Sequence, residues 1–302
     1  MRLLKRLGRR ARSAWQVWRR GGAAAFKTHA VARLRARLGV DDLETRVHTV
    51  AAAASTWCVT TWIEQAVLEQ TPLVSVILPT HNRSHLLPRA VCSVRSQAYP
   101  NWEIVVVDDG STDDTPRVLE RLGGELGPNR LKALRTARGG VCAARNQGLA
   151  VAKGSLIAYL DDDNAMHPLW LKAVAWAFGQ RPDVDLLYGG VIVDDILRLN
   201  RRSAGALPSY HLMAFDRARL VRENLADIGA IAHRSGLPEA RFDETLREMG
   251  DWDLLVRLTR EKAPLVLPAV ACFYSTAGAD RLSGGPTFEA DAARVRAKAR
   301  QW

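Results

Sequence analysis

The pattern of apolar and polar positions changes character at about residue 72. Before that point, apolar residues such as Leu7 and Trp15 recur at helical spacing, with arginines and lysines on the remaining faces. Beyond it, short apolar runs alternate with amphipathic segments, which is typical of a sheet covered by helices. We therefore predict a basic helical extension over residues 1–72 and an α/β domain over residues 73–302, with a mainly parallel, open sheet.

Four apolar runs predict the first strands of this sheet, at residues 73–79, 103–107, 130–136 and 155–160. Polar clusters follow three of them: Thr80 and Asn82 after the first, "DDGSTD" after the second and "DDDN" after the fourth. Because the carboxyl ends of neighbouring parallel strands open into one crevice, we expect these clusters to meet there. The chain lacks the Gly-x-Gly-x-x-Gly fingerprint, which disfavours an ordinary dinucleotide-binding fold.

The net charge of +11 comes from one end of the chain. The first 40 residues hold twelve of the 43 lysines and arginines and no acidic residue, so 31 basic and 32 acidic residues remain elsewhere. A nearly neutral body offers no positively charged groove, and we expect no nucleic-acid partner. The basic arm suits an anionic membrane surface, contacted by residues 1–20, although its apolar face could equally pack on the protein or in a dimer.

Cysteine usage and hydropathy favour a cytoplasmic protein. The four cysteines stand singly, without the paired spacing of zinc or redox sites, and no secretory signal is evident. The longest uncharged run, Val47 to Ile63, has 17 residues and includes five Ser or Thr. It is too short and too polar for a membrane span of about 20 apolar residues. We expect a cytoplasmic location, peripheral on the inner face of the membrane if the basic arm binds lipid.

Three consecutive carboxylates, Asp161, Asp162 and Asp163, end the fourth predicted strand. Neighbouring carboxylates repel one another unless a cation is shared between them. Ligand sets made only of oxygen suit Mg²⁺ or Mn²⁺, which often bridge one or two carboxylates and substrate phosphates. The run therefore indicates a divalent-cation site beside a diphosphate, and an acidic loop is the simpler alternative.

Four segments together resemble family 2 glycosyltransferases. They are "VSVILPTHNR" (74–83), "QAYPNWEIVVVDDGSTDDT" (97–115), "GVCAARNQGLAVAKGSLIAYLDDDN" (140–164) and "GDWDLLVRL" (250–258). Their order and spacing are similar to those of the inverting, nucleotide-sugar-dependent members with the GT-A fold. The resemblance covers about residues 73–275. It implies a nucleotide-binding half at about 73–165 and an acceptor half at about 166–285, before a C-terminal helix at about 287–302.

The resemblance also implies roles for the residues that match the family motifs. Asp163 would be the ligand of Mn²⁺ or Mg²⁺, Asp251 the catalytic base, and Asp109 a hydrogen-bond partner of the nucleotide base. Arg145 would lie near the nucleotide, and Asp161 would contact the ribose or the sugar. The other candidates for nucleotide-sugar binding lie in the same loops: Pro79, Thr80, Asn82, Arg83, Asp108 and Asp162.

The chain departs from the family pattern at two places. Gly250 precedes the base where the family often has Glu, so a supporting contact would have to come from Glu248. The family's Tyr-Arg-x-His pattern is replaced by "FYSTAGADRLS", in which Arg281 is the candidate for a diphosphate contact. Trp252 and Asp253, next to the base, are further candidates.

Each candidate also has a purely structural explanation. Asp108 and Asp109 could close a glycine-containing turn, Arg145 could be a surface helix residue, and Asp251 could cap the helix that follows it. Arg281 could be a solvated loop residue.

The expected activity is metal-assisted single displacement that moves a sugar from a nucleoside-diphosphate sugar to an acceptor hydroxyl. The resemblance favours a UDP-sugar, and the basic arm favours a lipid-linked glycan acceptor. A catalytically inactive, glycosyltransferase-like scaffolding protein is the first alternative. A nucleic-acid-binding protein that uses the basic arm is the second.

Overall fold

The computed structural model describes residues 55–193, 209–275 and 287–301. The chain divides after Ala52, and all described residues lie in the second unit, Ala53–Trp302. The predicted basic helices before residue 40 and the candidate Arg281 lie outside the described residues. Of the helices that are described, none is long and apolar enough to cross a membrane.

Nine strands form one sheet in the described part of the chain: β1 (Val74–Thr80), β2 (Trp102–Asp109), β3 (Leu131–Thr136), β4 (Leu156–Tyr159), β5 (Ala165–Met166), β6 (Leu186–Val193), β7 (Ser209–His211), β8 (Ile231–Arg234) and β9 (Leu265–Tyr274). Their order is β3-β2-β1-β4-β8-β6-β9-β5, and β7 pairs with β6. The four strands predicted from apolar runs are confirmed as β1 to β4.

The sheet has a parallel half and a mixed half. β1 pairs in parallel with β2 and β4, and β2 pairs in parallel with β3. β8 is antiparallel to both β4 and β6, whereas β9 is parallel to β6. The predicted parallel arrangement therefore holds as far as β4. Because β8 runs in the opposite direction, its first residues lie at the edge of the sheet where β4 ends.

Helices cover the sheet: α1 (55–65), α2 (Leu87–Arg95), α3 (Thr115–Leu126), α4 (Val141–Val151), α5 (Trp170–Gln180), α6 (Arg217–Leu220), α7 (Gly250–Leu258) and α8 (Phe288–Ala299). The inner face predicted for the helix after β1 is buried, as Leu87, Ala90, Val91 and Val94. Residues 55–65, which we predicted as part of the extension, belong to this unit.

Two apolar clusters pack on the two faces of the sheet. Along β1, Val74, Val76 and Leu78 belong to one cluster and Ile77 to the other. This alternation follows from the geometry of a strand, in which successive side chains point to opposite faces. Every residue of β1 and β2 is buried, as expected for parallel strands covered on both sides. The sheet therefore gives the polar residues at its carboxyl edge a rigid support.

Candidate active site

A large cavity opens at the carboxyl edge of β1, β2 and β4, with a volume of about 920 Å³. Carboxylates from distant parts of the sequence line it: Asp109, Asp161, Asp162, Asp163, Asp227 and Asp251. Other predicted site residues also line it: Pro79, Thr80, Asn82, Arg83, Arg145, Glu248 and Trp252. The candidates Asp108 and Asp253 do not line the cavity. The structure therefore gathers most of the candidates around one space.

Asp162, in the centre of the acidic run after β4, accepts hydrogen bonds from residues at and after the end of β1. Thr80 Oγ1 donates to one of its oxygens at 2.7 Å, and Arg83 Nη1 donates to the other at 2.8 Å. Only 3% of Asp162 is exposed. Burial raises the pKa of its carboxyl group, and the positive charge of Arg83 opposes that effect. Asp162 thus ties the end of β1 to the segment that follows β4.

Asp163, like Asp161, is a partly exposed carboxylate of this run, and its chemistry fits a metal site. Its side chain is 21% exposed, and Arg83 Nη1 lies 3.2 Å from its Oδ2. In the described part of the chain, no three Asp, Glu, His or Cys residues gather closely enough to hold a metal by themselves. Mg²⁺-type ions need only one or two protein carboxylates when substrate phosphates supply further oxygens. The chemistry and partial exposure of Asp163 fit that arrangement.

Arg145, on α4, is a buried cation at the cavity wall. Its Nη2 donates to Asp161 Oδ1 at 2.7 Å, and its guanidinium lies over the ring of Phe242, 5.3 Å from the centroid. Burial alone would lower the pKa of Arg145, but the carboxylate of Asp161 holds it above its usual value. Because Arg145 is only 5% exposed, it is not a solvated residue of a surface helix.

The acidic turn after β2 binds backbone amides. Asp108 Oδ1 accepts a hydrogen bond from Ser111 N at 2.8 Å, which closes the turn. The two oxygens of Asp109 accept from Gly139 N at 2.7 Å and from Gly140 N at 2.8 Å. Asp109 therefore fixes the loop that begins α4, while it also lines the cavity.

Two residues that line the cavity have a left-handed backbone. Asn82 has φ 52° and Met249 has φ 55°, and no other described residue except glycine has a positive φ. Asn82 Oδ1 accepts from Thr112 N at 2.7 Å, which joins the loop after β1 to the loop after β2. Met249 directly precedes α7. Uncommon backbone conformations of this kind concentrate at functional sites.

Asp251 is the second residue of α7 and not its N-cap, which is Met249. Its Oδ2 accepts from Asn224 Nδ2 and its Oδ1 from Trp252 N, both at 2.8 Å. Burial raises the pKa of the Asp251 carboxyl group, and the charge of Arg145 opposes the rise. A carboxylate with a raised pKa is a stronger base, which favours proton abstraction near neutral pH.

Packing against Cys142 accounts for the glycine before Asp251. A Cβ atom at Gly250 would lie 2.7 Å from Cys142 Sγ and 3.5 Å from Phe242 Cδ1. A glutamate therefore does not fit at this position without rearrangement of α4. Glu248 lines the cavity, and its Oε1 accepts from Thr287 Oγ1 at 2.7 Å.

The C-terminal helix α8 holds the segment around Asp251. Asp291 Oδ2 accepts from Arg247 N at 2.8 Å and from Glu248 N at 2.9 Å. Lys298 Nζ donates to Asp253 Oδ1 at 2.7 Å. Local sequence patterns carry no signal for these contacts, because they join segments about 45 residues apart.

The two candidates beside Asp251 have structural partners. Asp253 is fully buried, and its Oδ2 accepts from Arg257 Nε at 2.9 Å. Trp252 Nε1 donates to Leu220 O at 2.7 Å and so anchors the start of α7. Asp253 is therefore part of the core, whereas Trp252 both anchors the helix and lines the cavity.

Asn224 and Asp227 line the cavity but were not among the sequence candidates. Asp227 precedes the 3₁₀ turn Ile228–Ala230, and its Oδ1 accepts from Gly229 N at 2.9 Å. Burial, together with the charges of Asp161 and Asp251, raises the pKa of the Asp227 carboxyl group to about 8. The available signal was an acidic residue directly before the apolar run of β8.

Comparison with known proteins identifies the family. Residues 75–235 match the model of Glycosyl transferase family 2. The chain belongs to this family. A PGL/p-HBAD biosynthesis glycosyltransferase of Mycobacterium tuberculosis is 32% identical over 189 residues, which cover 62% of this chain and 69% of the relative. WcaA of Escherichia coli K12, named for colanic acid biosynthesis, is 30% identical over 196 residues, which cover 64% of this chain and 68% of the relative.

Solved structures show the same fold as this glycosyltransferase. TarS 1–349 of S. aureus in complex with UDP-GlcNAc has a TM-score of 0.58 at 22% identity. The match covers 75% of this chain and 66% of that chain, a little less than two thirds. PcManGT, a mannosyltransferase from Pyrobaculum calidifontis in complex with GDP-Man and Mn²⁺, has a TM-score of 0.56 at 20% identity. This match covers 86% of this chain and 75% of that chain. The predicted GT-A-type fold is thereby confirmed.

Proposed function

We propose that this chain transfers a sugar from a nucleoside-diphosphate sugar to an acceptor hydroxyl, with inversion at the sugar carbon. One observation carries the proposal: Asp109, Asp163 and Asp251 line the same cavity, although they come from distant parts of the sequence. TarS binds UDP-GlcNAc and PcManGT binds GDP-Man, which supports a nucleotide-sugar donor. Family resemblance favours UDP as the nucleotide.

The donor would lie along the parallel half of the sheet. Pro79 and Thr80 at the end of β1 would border the nucleotide base, and the loop fixed by Asp109 would complete its binding site. Arg145 holds Asp161 at 2.7 Å, which leaves that carboxylate in a fixed position to accept hydrogen bonds from ribose or sugar hydroxyls. The positive charges of Arg83 and Arg145 would offset the carboxylates, so that an anionic diphosphate can approach.

Asp163 would hold Mn²⁺ or Mg²⁺ together with oxygens of the diphosphate. When bound, such an ion stabilises the negative charge that grows on a departing diphosphate. The role of the chain is to present the Asp163 carboxylate in one orientation. Arg83 contributes to this, because its Nη1 contacts both Asp162 and Asp163.

Asp251 would take the proton from the attacking acceptor hydroxyl. Asn224 and the backbone amide of Trp252 fix its two oxygens, so the carboxylate needs little reorganisation during the reaction. A general base of this kind typically contributes about 10² to 10⁴ in rate. One base and no enzyme nucleophile give a single displacement, and therefore an inverted product.

The acceptor side of the proposal extends to the membrane. A lipid-linked glycan acceptor, presented at an anionic membrane surface that residues 1–20 contact, would match the charge of the N-terminal arm. Deletion of residues 1–22 should then release the protein from anionic vesicles without loss of donor binding. Unchanged vesicle binding by the truncated protein would contradict the membrane proposal alone.

A thermal-shift screen tests the donor and the metal together. In the presence of Mn²⁺, we expect the protein to be stabilised either by UDP and by UDP-GlcNAc, or by GDP and by GDP-mannose. A ligand at about 100 times its Kd contributes about 2.7 kcal/mol. Asp163→Asn should remove the Mn²⁺-dependent part of the shift, and Asp183→Asn, at an exposed position, serves as the matched control. If no nucleotide stabilises the protein with or without Mn²⁺, the inactive scaffolding protein becomes the better explanation.

A further inference from the structure

Asp227 is a carboxyl group of the cavity to which the proposed reaction assigns no role. It lies before β8, which is antiparallel to β4 with Ala158 opposite Ala232. The start of β8 therefore meets the end of β4, which leads into Asp161. Asp227 is half-buried and lines the cavity, so part of its surface is open to a ligand.

Three carboxyl groups and one cation interact at this wall. Asp227 interacts electrostatically with Asp161, Asp251 and the guanidinium of Arg145. The nearby thiol of Cys272, on β9, is neutral, because burial raises its pKa well above the usual value. Three carboxyl groups that share one positive charge at a partly buried cavity wall favour the uptake of a proton.

Hydrogen-bond donors decide which of the three carboxyl groups takes the proton. Asp161 accepts a hydrogen bond from the guanidinium of Arg145 at 2.7 Å. Asp251 has two N–H donors, from Asn224 and Trp252. Asp227 has one N–H donor, from Gly229 at 2.9 Å. The charged form is thus least supported at Asp227, which agrees with the pKa of about 8 for its carboxyl group.

We propose that Asp227 is a substrate-binding residue that acts as a neutral acid and donates a hydrogen bond to a hydroxyl of the donor sugar. Charged carboxylates such as Asp161 and Asp251 only accept hydrogen bonds, whereas a protonated carboxyl group also donates one. A sugar hydroxyl can do both, so a neutral Asp227 complements its neighbours. Asp161, the stronger electrostatic neighbour of Asp227, belongs to the donor side of the cavity, and this inference rests on the proposed function.

Binding of nucleotide sugar and of nucleoside diphosphate separates the sugar contact from the rest of the site. The full-length protein, Asp227→Asn and Asp227→Ala are titrated with UDP-GlcNAc, UDP, GDP-mannose and GDP at about pH 7 and about pH 9, on either side of the titration of Asp227. Asn has the shape of a neutral Asp and also donates a hydrogen bond. The melting temperature of each variant reports whether it folds.

We expect the wild type to bind the nucleotide sugar about tenfold more weakly at the higher pH, as Asp227 ionises and stops donating. At both pH values, Asp227→Asn should bind the nucleotide sugar with the affinity that the wild type has at neutral pH. Asp227→Ala should bind about 10-fold more weakly at both, and binding of UDP or GDP alone should not change in either variant. Equal losses in the Asn and Ala variants at neutral pH, or equal losses of UDP and UDP-GlcNAc affinity, would overturn the proposal.

A second measurement needs no ligand. In protein labelled with ¹³C at the aspartate carboxyl groups, one resonance should titrate with a midpoint near pH 8 and be missing from Asp227→Asn. The proposal is overturned if every carboxyl group titrates below about pH 6. Failure of the proposed function would look different: no nucleotide or nucleotide sugar would bind the wild type, while the titration at Asp227 would persist.

Discussion

Gly250 gives the sharpest test of how Asp251, the proposed base, is positioned. A Cβ atom there would lie 2.7 Å from Cys142 Sγ, so Gly250→Ala forces α7 and α4 apart or displaces the sulfur. Overpacking of a well-filled core costs about 1–3 kcal/mol. Gly250 is the first residue of α7, where the helix propensity of alanine offsets little of this cost, so the net loss should be about 1–3 kcal/mol.

Removal of the sulfur should relieve the clash. Cys142→Ala leaves a small cavity, and the added methyl group of Gly250→Ala then has room. The double variant should therefore be at least as stable as Cys142→Ala alone, with a coupling free energy of about 1–3 kcal/mol between the two substitutions. The four free energies of unfolding are measured by urea denaturation with circular dichroism.

A second glycine provides the control. Gly179, on α5, has no atom within 4 Å of the position where its Cβ would lie. Gly179→Ala should stabilise the protein by up to about 1 kcal/mol through helix propensity alone. Equal stabilities of Gly250→Ala and Gly179→Ala, or simple additivity of the effects at Gly250 and Cys142, would show that contact with Cys142 does not exclude a side chain at Gly250.

The clash should also affect sugar transfer, because Asp251 follows Gly250 directly. Displacement of a catalytic group by about 1 Å can cost about 10²-fold in rate. We therefore expect Gly250→Ala to lower kcat much more than Gly179→Ala does, and the Cys142→Ala background to restore it. Loss of kcat that persists in the double variant would show that Gly250 acts through something other than contact with Cys142.

Three further predictions concern the metal, the buried cation and a buried histidine. Asp163→Asn should abolish the Mn²⁺ dependence of nucleotide binding and change the melting temperature of the free protein only slightly, because the amide oxygen of asparagine can still accept from Arg83. Arg145→Lys should lower kcat/KM at least about 10-fold, since lysine cannot keep both the contact with Asp161 and the stacking on Phe242. Burial lowers the pKa of His233 from 6.5 to about 4, so unfolding takes up a proton between these values. Stability should fall by about 3 kcal/mol as pH drops through this window, and His233→Gln should flatten that part of the curve measured by urea denaturation.

The parallel half of the sheet could be predicted because its signals are local. An apolar run that is covered on both faces, followed at once by a polar cluster, identifies β1, β2 and β4 without knowledge of their neighbours. The mixed half lacks such signals. β5 has two residues and β7 has three, and the direction of β8 depends on pairing with strands far away in sequence. Asp227 was missed for this reason, since strand direction decides which end of β8 reaches the cavity.

Neighbouring acidic residues could be separated only in part. Asp251 and Asp253 differ by two positions on α7, which places them about 200° apart around the helix axis, so one of them had to face away from the cavity. Helical geometry could therefore have excluded Asp253. Asp108 and Asp109 point to opposite faces of β2, but which face holds the nucleotide depends on how β2 packs, and the sequence does not reveal that.

The hydrogen-bond partners of Asp162, Asp109 and Asp253 make these three carboxylates structural supports. Both oxygens of Asp162 and of Asp109 are held by protein donors that join one loop or strand to the next. Asp253 is likewise paired with two cations in the core. Neutral substitution at these three positions leaves buried donors without a partner, so its main cost falls on stability. Both oxygens of Asp251 are also held by protein donors. Under the proposed function, however, Asp251, Asp163 and Asp227 would contribute proton or ion chemistry in the cavity, so substitution there should also lower binding and catalysis.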